Sequence, residues 1–293
     1  MTKGLLLSQK GAILIFVLWV IAFLSMIGGY FTLETTLRRN LGFGAWNMLK
    51  SRLMVESVLT VVTPYVKEFS DNDNEVNNLE KNSGLILPDG SEYKIKIGGE
   101  ELRFSIEDER GKVDINKASE EMLSEVLKGL LGEAKGAIIS DSILDWRDND
   151  DDKRTHGAES EYYRSLDVPY EASNSKFVLL EQLLLVHGVN PILFWGPLDW
   201  RSTDSKDEEP EWSGGLQDIF TIYNGSDKII KEASPKPLID ILRKEYFKEA
   251  KGLGILRFKT CAYQACYQIF FEKQTGSKLG FKLIHWEQVP RFN

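Results

Sequence analysis

Cysteine is scarce in this chain of 293 residues, which contains only Cys261 and Cys266. On one continuous strand, an offset of five residues would place the two side chains on opposite faces of a sheet, out of reach of each other. We therefore expect two part-buried thiols and no local disulfide. Nothing else in the chain offers a thiolate ligand for a metal.

Signatures of catalysis are also missing. The three histidines, His156, His187 and His285, are scattered along the chain, and each is expected to be a surface or capping residue. The sequence has no phosphate-binding loop, zinc motif or nucleophile signature. We therefore expect that the protein is not an enzyme. The alternative of an envelope hydrolase that uses acidic side chains would require a cleft holding a perturbed carboxylate.

Positive charge is not in excess either, because the formal net charge of the chain is −8. Residues 1–39 carry four basic side chains and one acidic side chain, so the remainder of the chain carries a net charge of −11. A protein that binds phosphates needs a positive field. We therefore expect no nucleic-acid partner.

The main feature that is present is an apolar run from Ala12 to Phe31, twenty residues without a charged side chain. A helix of this length spans roughly 30 Å, the thickness of the hydrocarbon core of a bilayer. One interpretation is a cleaved signal peptide or a plain signal anchor. We favour cleavage in front of the run, between Gly11 and Ala12 and behind a short leader with Lys3 and Lys10, which would leave the helix on the mature protein.

Apolar residues with near-helical spacing continue beyond this run, which predicts that the second half of a long helix packs on a domain. Gly42, Gly44 and Pro64 are possible points of interruption. The residues of the apolar stripe are Trp46, Leu49, Leu53, Met54, Val58 and Val61.

Alternating segments predict strands in the rest of the chain. Residues 93–97 and 102–106 flank Gly98-Gly99 and indicate a β-hairpin. Residues 255–271 and 279–289 are predicted β runs that close an antiparallel hairpin. Polar stretches at 70–84 and 201–215 are predicted to be loops.

Two Ala-Ser pairs each precede an amphipathic pattern. Ser119 is a good N-cap for the first helix, and Pro235 stands at the first position of the second, predicted over 235–250. These segments resemble helix-hairpin-helix modules, which often bind DNA. Since no Lys/Arg cluster surrounds them, we interpret them as a packing module; a membrane-anchored DNA-binding protein of the competence type is the alternative.

The segment with the most candidate functional side chains is acidic and runs from Asp145 to Glu161. Asp148, Asp150 and Asp152 occupy every second position. Glu159 lies eleven residues after Asp148, the spacing of the closing ligand in an EF-hand loop. The glycine that is usual at the sixth position of such a loop is replaced by Lys153. Clustered carboxylates repel one another unless a cation neutralises them. The alternative is a solvated acidic loop. The candidate Ca²⁺ ligands are Asp145, Asp148, Asp150, Asp151, Asp152, Glu159 and Glu161.

The segment KGAILIFVLWVIAFLSMI resembles the amino terminus of type IV pilins and type II secretion pseudopilins, most closely the K-type minor pseudopilin. Most of these proteins carry Glu at the fifth mature position. Phe16 occupies it here, as is usual for the K-type subunit. The pattern D-W-x-D-x-D-D followed by Gly157-Ala158-Glu159 and Tyr162-Tyr163 resembles the same subunit, in which the region binds calcium structurally.

The resemblance implies an α+β, pilin-like fold: a long N-terminal helix on a small antiparallel sheet, with a large inserted α-helical domain. The expected organisation is a leader (1–11), a membrane helix (12–31), the second half of the helix with the first strands (32–110), the insertion (111–215) and the remaining strands (216–293).

The implied function is that of a subunit at the tip of the pseudopilus, which initiates assembly and supports export of folded proteins. The implied partners are the I- and J-type minor pseudopilins, the prepilin peptidase, which would cut at Gly11, and the inner-membrane platform. The charges around the helix, with Arg38 and Arg39 close behind it, leave its orientation open. The resemblance implies a single-pass inner-membrane protein with a periplasmic body and a methylated amino terminus.

Overall fold

The structure is a computed structural model that describes residues 4–67, 84–196, 214–249, 251–263, 265–274 and 280–290, with side chains from Ile13 onward. The predicted loops at 70–84 and 201–215 lie almost entirely outside these residues. The chain divides into two compact units, Met1–Leu53 and Met54–Asn293. The bounds of the helices are α1 Gly4–Val62, α2 Glu120–Leu131, α3 Glu133–Arg147, α4 Ser160–Arg164, α5 Pro191–Trp195, α6 Leu216–Ile219 and α7 Lys236–Ile241. The bounds of the strands are β1 Asp89–Ile97, β2 Glu100–Asp108, β3 Val113–Asp114, β4 Phe220–Thr221, β5 Ile229–Ile230, β6 Phe247–Lys248, β7 Ile255–Ala262, β8 Ala265–Lys273 and β9 Phe281–Val289.

The first unit is helical and contains most of α1. The helix continues through Gly42 and Gly44, since a glycine costs only about 1 kcal/mol in a helix, too little to end one of this length. It ends before Pro64, where a 3-10 turn, Thr63–Tyr65, begins. Among the described residues, α1 supplies one stretch long and apolar enough to cross a membrane; its most apolar window has a mean hydropathy of 2.4, and none of that window is buried.

The second unit contains a five-stranded antiparallel sheet in the order β1-β2-β7-β8-β9. The predicted hairpin at 93–106 is confirmed, with positive φ at Gly98 and Gly99, the conformation that a two-residue turn requires. The last two turns of α1 pack on the sheet. Residues of this core from the helix and the sheet include Val55, Val58, Leu59, Val62, Phe104, Ile106, Phe258 and Ile269. These observations confirm the α+β class and the long helix on an antiparallel sheet.

The prediction for the cysteines is wrong, because Cys261 and Cys266 form a disulfide. The prediction assumes one continuous β run from 255 to 271. The chain instead reverses direction after Ala262, so the two cysteines lie opposite each other on β7 and β8, with their Cα atoms 4.0 Å apart. Opposed residues on antiparallel strands share a face, and a disulfide can join them.

The helical part of the second unit has its own core, built on α2 and α3. Ser119 caps α2 as predicted, since its hydroxyl accepts a hydrogen bond from the N–H of Met122. The helix predicted over 235–250 is much shorter, Lys236–Ile241, because Phe247 and Lys248 form a strand that pairs with Ile229–Ile230. Residues of the helical core include Leu123, Val126, Ile139, Trp146, Tyr163, Phe177 and Leu183.

A buried group of charges joins the sheet to the helical part. The guanidinium of Arg257 on β7 lies 3.3 Å from a carboxylate oxygen of Glu109 and 3.1 Å from one of Asp218 on α6. It also contacts Glu107 on β2 at 2.5 Å and donates to the main-chain carbonyl of Gln217. Since Arg257 is only 1% exposed, these interactions are almost fully removed from water.

Candidate metal centre

The acidic loop connects two helices of the helical part. It begins at Asp148, directly after α3, and ends at Glu159, whose main-chain carbonyl accepts hydrogen bonds from the first turn of α4. Residues on the two sides of the loop meet in an aromatic cluster, in which Trp146 packs edge-on against Tyr163 with ring centroids 5.3 Å apart. The hydroxyl of Tyr163 accepts a hydrogen bond from the N–H of His187. The chain on both sides of the loop is therefore fixed by the core.

Three of the predicted ligands converge in this loop. Asp148, Asp150 and Glu159 each offer one carboxylate oxygen, and these atoms all lie within 4.8 Å of one another. Carboxylate oxygens at such separations can bind one hard cation, and Ca²⁺ takes six to eight oxygen ligands in flexible geometry. An acidic cluster alone would also suit a solvated loop, so the burial of these groups matters.

Glu159 is only 4% exposed. Among the described residues, both of its carboxylate oxygens and Oδ1 of Asp148 are buried without a hydrogen-bond partner. Burying an unpartnered carboxylate is costly, and buried polar atoms are normally paired. Burial, followed by the charges of Asp145 and Asp148, raises the pKa of Glu159 to about 7. A bound cation would satisfy these oxygens and stabilise their charge, so the residues present fit Ca²⁺.

Arg154 holds the base of the loop. Its Nη1 lies 2.7 Å from Oδ1 of Asp145 and 2.6 Å from Oδ2 of Asp148, and its main-chain N–H also donates to Asp145. Asp145 is fully buried at the end of α3, and burial raises its pKa although Arg154 opposes that shift. Asp145 is thus near the three converging carboxylates but is engaged by Arg154.

The other predicted ligands lie around this group. Asp151 and Glu161 line an adjacent cavity of about 440 Å³, and Asp151 accepts a hydrogen bond from the side-chain amide of Asn174. Asp152 is exposed, and its main-chain N–H donates to Oδ1 of Asp150 at 3.0 Å. The structure therefore brings together three of the seven predicted residues.

Sequence reasoning missed several supports of the loop. Gly157 approaches Asp145 so closely that a Cβ atom would lie 1.9 Å from its Oδ2. The main-chain N–H of His156 donates to Asp141 on α3 at 3.0 Å. The Gly157-Ala158-Glu159 motif could have indicated the close approach of Gly157 to Asp145. Arg154 is recognisable in the sequence as a basic residue within an acidic segment. Asp141 had no local signal, because its partner lies fifteen residues away.

The two residues of the predicted processing site, Gly11 and Ala12, lie within α1. The helix continues through both, and their side chains are outside the described part of the chain.

A long apolar N-terminal helix, an antiparallel sheet and a helical part with an acidic loop are the parts expected of a pilin-like secretion subunit. Residues 76–194 match the family model described as type II secretion system (T2SS), protein K. The matched residues include the acidic loop, and over them the predicted resemblance to the K-type subunit is confirmed.

Among solved structures, the chain is similar to a chain of the GspK-GspI-GspJ complex from the type 2 secretion system of enterotoxigenic Escherichia coli. The identity is 10%, the match covers 87% of this chain and 99% of that chain, and the TM-score is 0.48. The comparison with curated proteins gave no match.

Proposed function

We propose that the protein is a minor pseudopilin of a type II secretion system, a structural subunit and not an enzyme, located at the tip of the pseudopilus. The observation that carries this proposal is the protein K match over residues 76–194. The exposed apolar part of α1 supports it, because a pilin-like subunit needs such a helix to sit in the membrane and then pack in a filament.

We propose that this helix is a single-pass anchor in the inner membrane and that the body lies in the periplasm. The disulfide between Cys261 and Cys266 supports this orientation. Disulfides persist in oxidising compartments such as the bacterial periplasm and are rare in the cytosol. The charges that flank the helix leave its orientation open, so the disulfide is the more informative observation.

The proposed maturation is cleavage between Gly11 and Ala12 by a prepilin peptidase, followed by methylation of the new amino terminus. The test is mass spectrometry of the protein purified from cells that contain the peptidase. The expected mature protein begins at Ala12 with one added methyl group, and a Gly11→Leu variant keeps the residues before the cut. A wild-type protein that still begins at Met1 in such cells would contradict the proposal.

The tip position is supported by the chemistry of Phe16, which occupies the fifth mature position and is 69% exposed. A glutamate there could pair with the amino terminus of a neighbouring subunit in the apolar filament core, where an unpaired charge is costly. Phe16 cannot make this pair, which suits a subunit that starts assembly and has no subunit above it.

The GspK of the Escherichia coli structure is in a complex with GspI and GspJ. We propose the I- and J-type subunits as partners here, together with the inner-membrane platform.

The proposed cofactor is a structural Ca²⁺ bound by Asp148, Asp150 and Glu159. The test is thermal unfolding of the wild type in Ca²⁺ and in a chelator. A ligand at 100 times its Kd stabilises the folded state by about 2.7 kcal/mol. The variant Glu159→Gln should lose this Ca²⁺-dependent gain. In the chelator it should be at least as stable as the wild type, because the buried unpartnered carboxylate is gone.

The matched control is Asp167→Asn, which also removes one negative charge, at an exposed position of the same helical part. It should keep the full gain in Ca²⁺. Equal melting of the wild type with and without Ca²⁺ would contradict the cation site, as would a Glu159→Gln variant that gains as much as the wild type.

A further inference from the structure

We infer that Arg154 is the positioning residue of the cation site: it binds one oxygen of Asp148 and thereby presents the other oxygen to the cation. This inference rests on the proposed cation site and names the side chain that prepares it. It assigns a function to the single arginine that lies inside the acidic loop.

The two oxygens of Asp148 have different surroundings. Oδ2 accepts a hydrogen bond from Nη1 of Arg154 at 2.6 Å. Among the described residues, Oδ1 is buried and has no hydrogen-bond partner, and Asp148 is one of the three residues whose ligand atoms lie within 4.8 Å of one another. A hydrogen bond to one oxygen restricts the rotation of a carboxylate and so favours one direction for its second oxygen.

Arg154 can do this because it is itself fixed. The same Nη1 atom lies 2.7 Å from Oδ1 of Asp145, and the main-chain N–H of Arg154 donates to the same carboxylate at 3.2 Å. Asp145 belongs to α3, is fully buried and is closely approached by the backbone of Gly157. The order of contacts is therefore helix α3, Asp145, Arg154, Asp148 and then the cation.

A positive charge near a cation site could instead weaken binding by repulsion. The guanidinium of Arg154 forms ion pairs with three carboxylates, those of Asp145, Asp148 and, at 4.0 Å, Glu120. The field of Arg154 at the cation site is therefore largely cancelled. We expect that removing Arg154 weakens Ca²⁺ binding by freeing Asp148 more than it strengthens binding by relieving repulsion. Residues that orient metal ligands typically change metal affinity by roughly 10- to 100-fold when substituted.

The test is isothermal titration calorimetry, which measures the Kd for Ca²⁺ of the purified wild type and of three variants. Arg154→Gln removes the charge. Arg154→Lys keeps the charge but replaces the guanidinium with a compact ammonium on a shorter side chain, which does not reproduce the position of Nη1 between the two carboxylates. Both should raise the Kd for Ca²⁺ by roughly 10- to 100-fold. The control Arg164→Gln removes an exposed arginine of α4 that pairs with Glu171, and it should bind like the wild type.

The possible outcomes are distinct. If repulsion dominated, Arg154→Gln would bind Ca²⁺ more tightly and Arg154→Lys would bind like the wild type, and the inference would be overturned. It would also be overturned if the Arg154 variants melted earlier by the same amount in Ca²⁺ and in chelator with an unchanged Kd. If the wild type itself failed to bind Ca²⁺, the proposed site would fall and the inference with it. Arg154→Lys is the milder change and gives the answer if the glutamine variant does not fold.

Discussion

Replacing Arg257 by methionine should destabilise the protein more than any surface substitution. The side chain is 1% exposed and faces three carboxylates, those of Glu107, Glu109 and Asp218. Methionine fills a similar length but leaves these groups with the two remaining cations of the cluster. Lys112 lies 2.7 Å from Glu107, and Lys259 lies 2.9 Å from Asp218.

The magnitude follows from the charges that are left. Three carboxylates facing two ammonium groups leave one buried negative charge uncompensated, and breaking a buried ion pair in this way costs about 3–5 kcal/mol. Although burial raises the pKa of Glu107, the charges of Arg257, Lys112 and Lys259 hold it well below its usual value. The cost is a large part of a typical stability of about 5–15 kcal/mol.

The assay is equilibrium unfolding in urea at neutral pH, followed by tryptophan fluorescence. The control Arg103→Met removes an exposed arginine that lies 3.6 Å from Glu92. It should change the stability by no more than about 1 kcal/mol. The double variant Arg257→Met/Glu109→Gln should recover part of the loss, because it also removes the uncompensated charge. If Arg257→Met were as stable as the Arg103 control, the reasoning about uncompensated charge would be refuted.

Two further predictions concern the disulfide and the response to pH. Replacing both Cys261 and Cys266 by serine should lower the stability by about 2 kcal/mol, the loop-closure value for so short a loop, and a reductant should then have no further effect; equal urea midpoints for the two proteins would contradict this. Burial, followed by a hydrogen bond with Glu181, raises the pKa of Glu287 from 4.5 to about 8. The folded state therefore holds a proton that the unfolded chain has released, so stability should fall as the pH rises from about 4.5 to 8. Glu287→Gln should flatten this fall in urea titrations, and an unchanged slope would speak against the raised pKa.

Local patterns predicted the elements whose neighbours are close in sequence. The first hairpin needed only alternation around Gly98 and Gly99, and α2 needed only Ser119 and the apolar positions behind it. Both depend on contacts within a few residues, which a sequence displays directly. The prediction of a helix over 235–250 failed in its second half, because Phe247–Lys248 forms a strand that pairs with Ile229–Ile230.

The acidic composition of the candidate site was visible in one short segment for the same reason. Three of the seven candidate ligands from that segment converge in the structure. Which of them converge depended on Arg154, which engages Asp145 and one oxygen of Asp148, and on the burial of Glu159 by the surrounding helices. Neither the arginine contacts nor the burial can be read from spacing alone.

The sequence by itself determined that the chain has a long apolar helix near its start and an acidic loop, because hydrophobicity and charge are properties of the residues themselves. The tertiary structure decided that Cys261 and Cys266 face each other and that three carboxylates, and not seven, lie together. These outcomes depend on where the backbone reverses and on which groups are removed from water, and both are set by packing between segments that are distant in the chain.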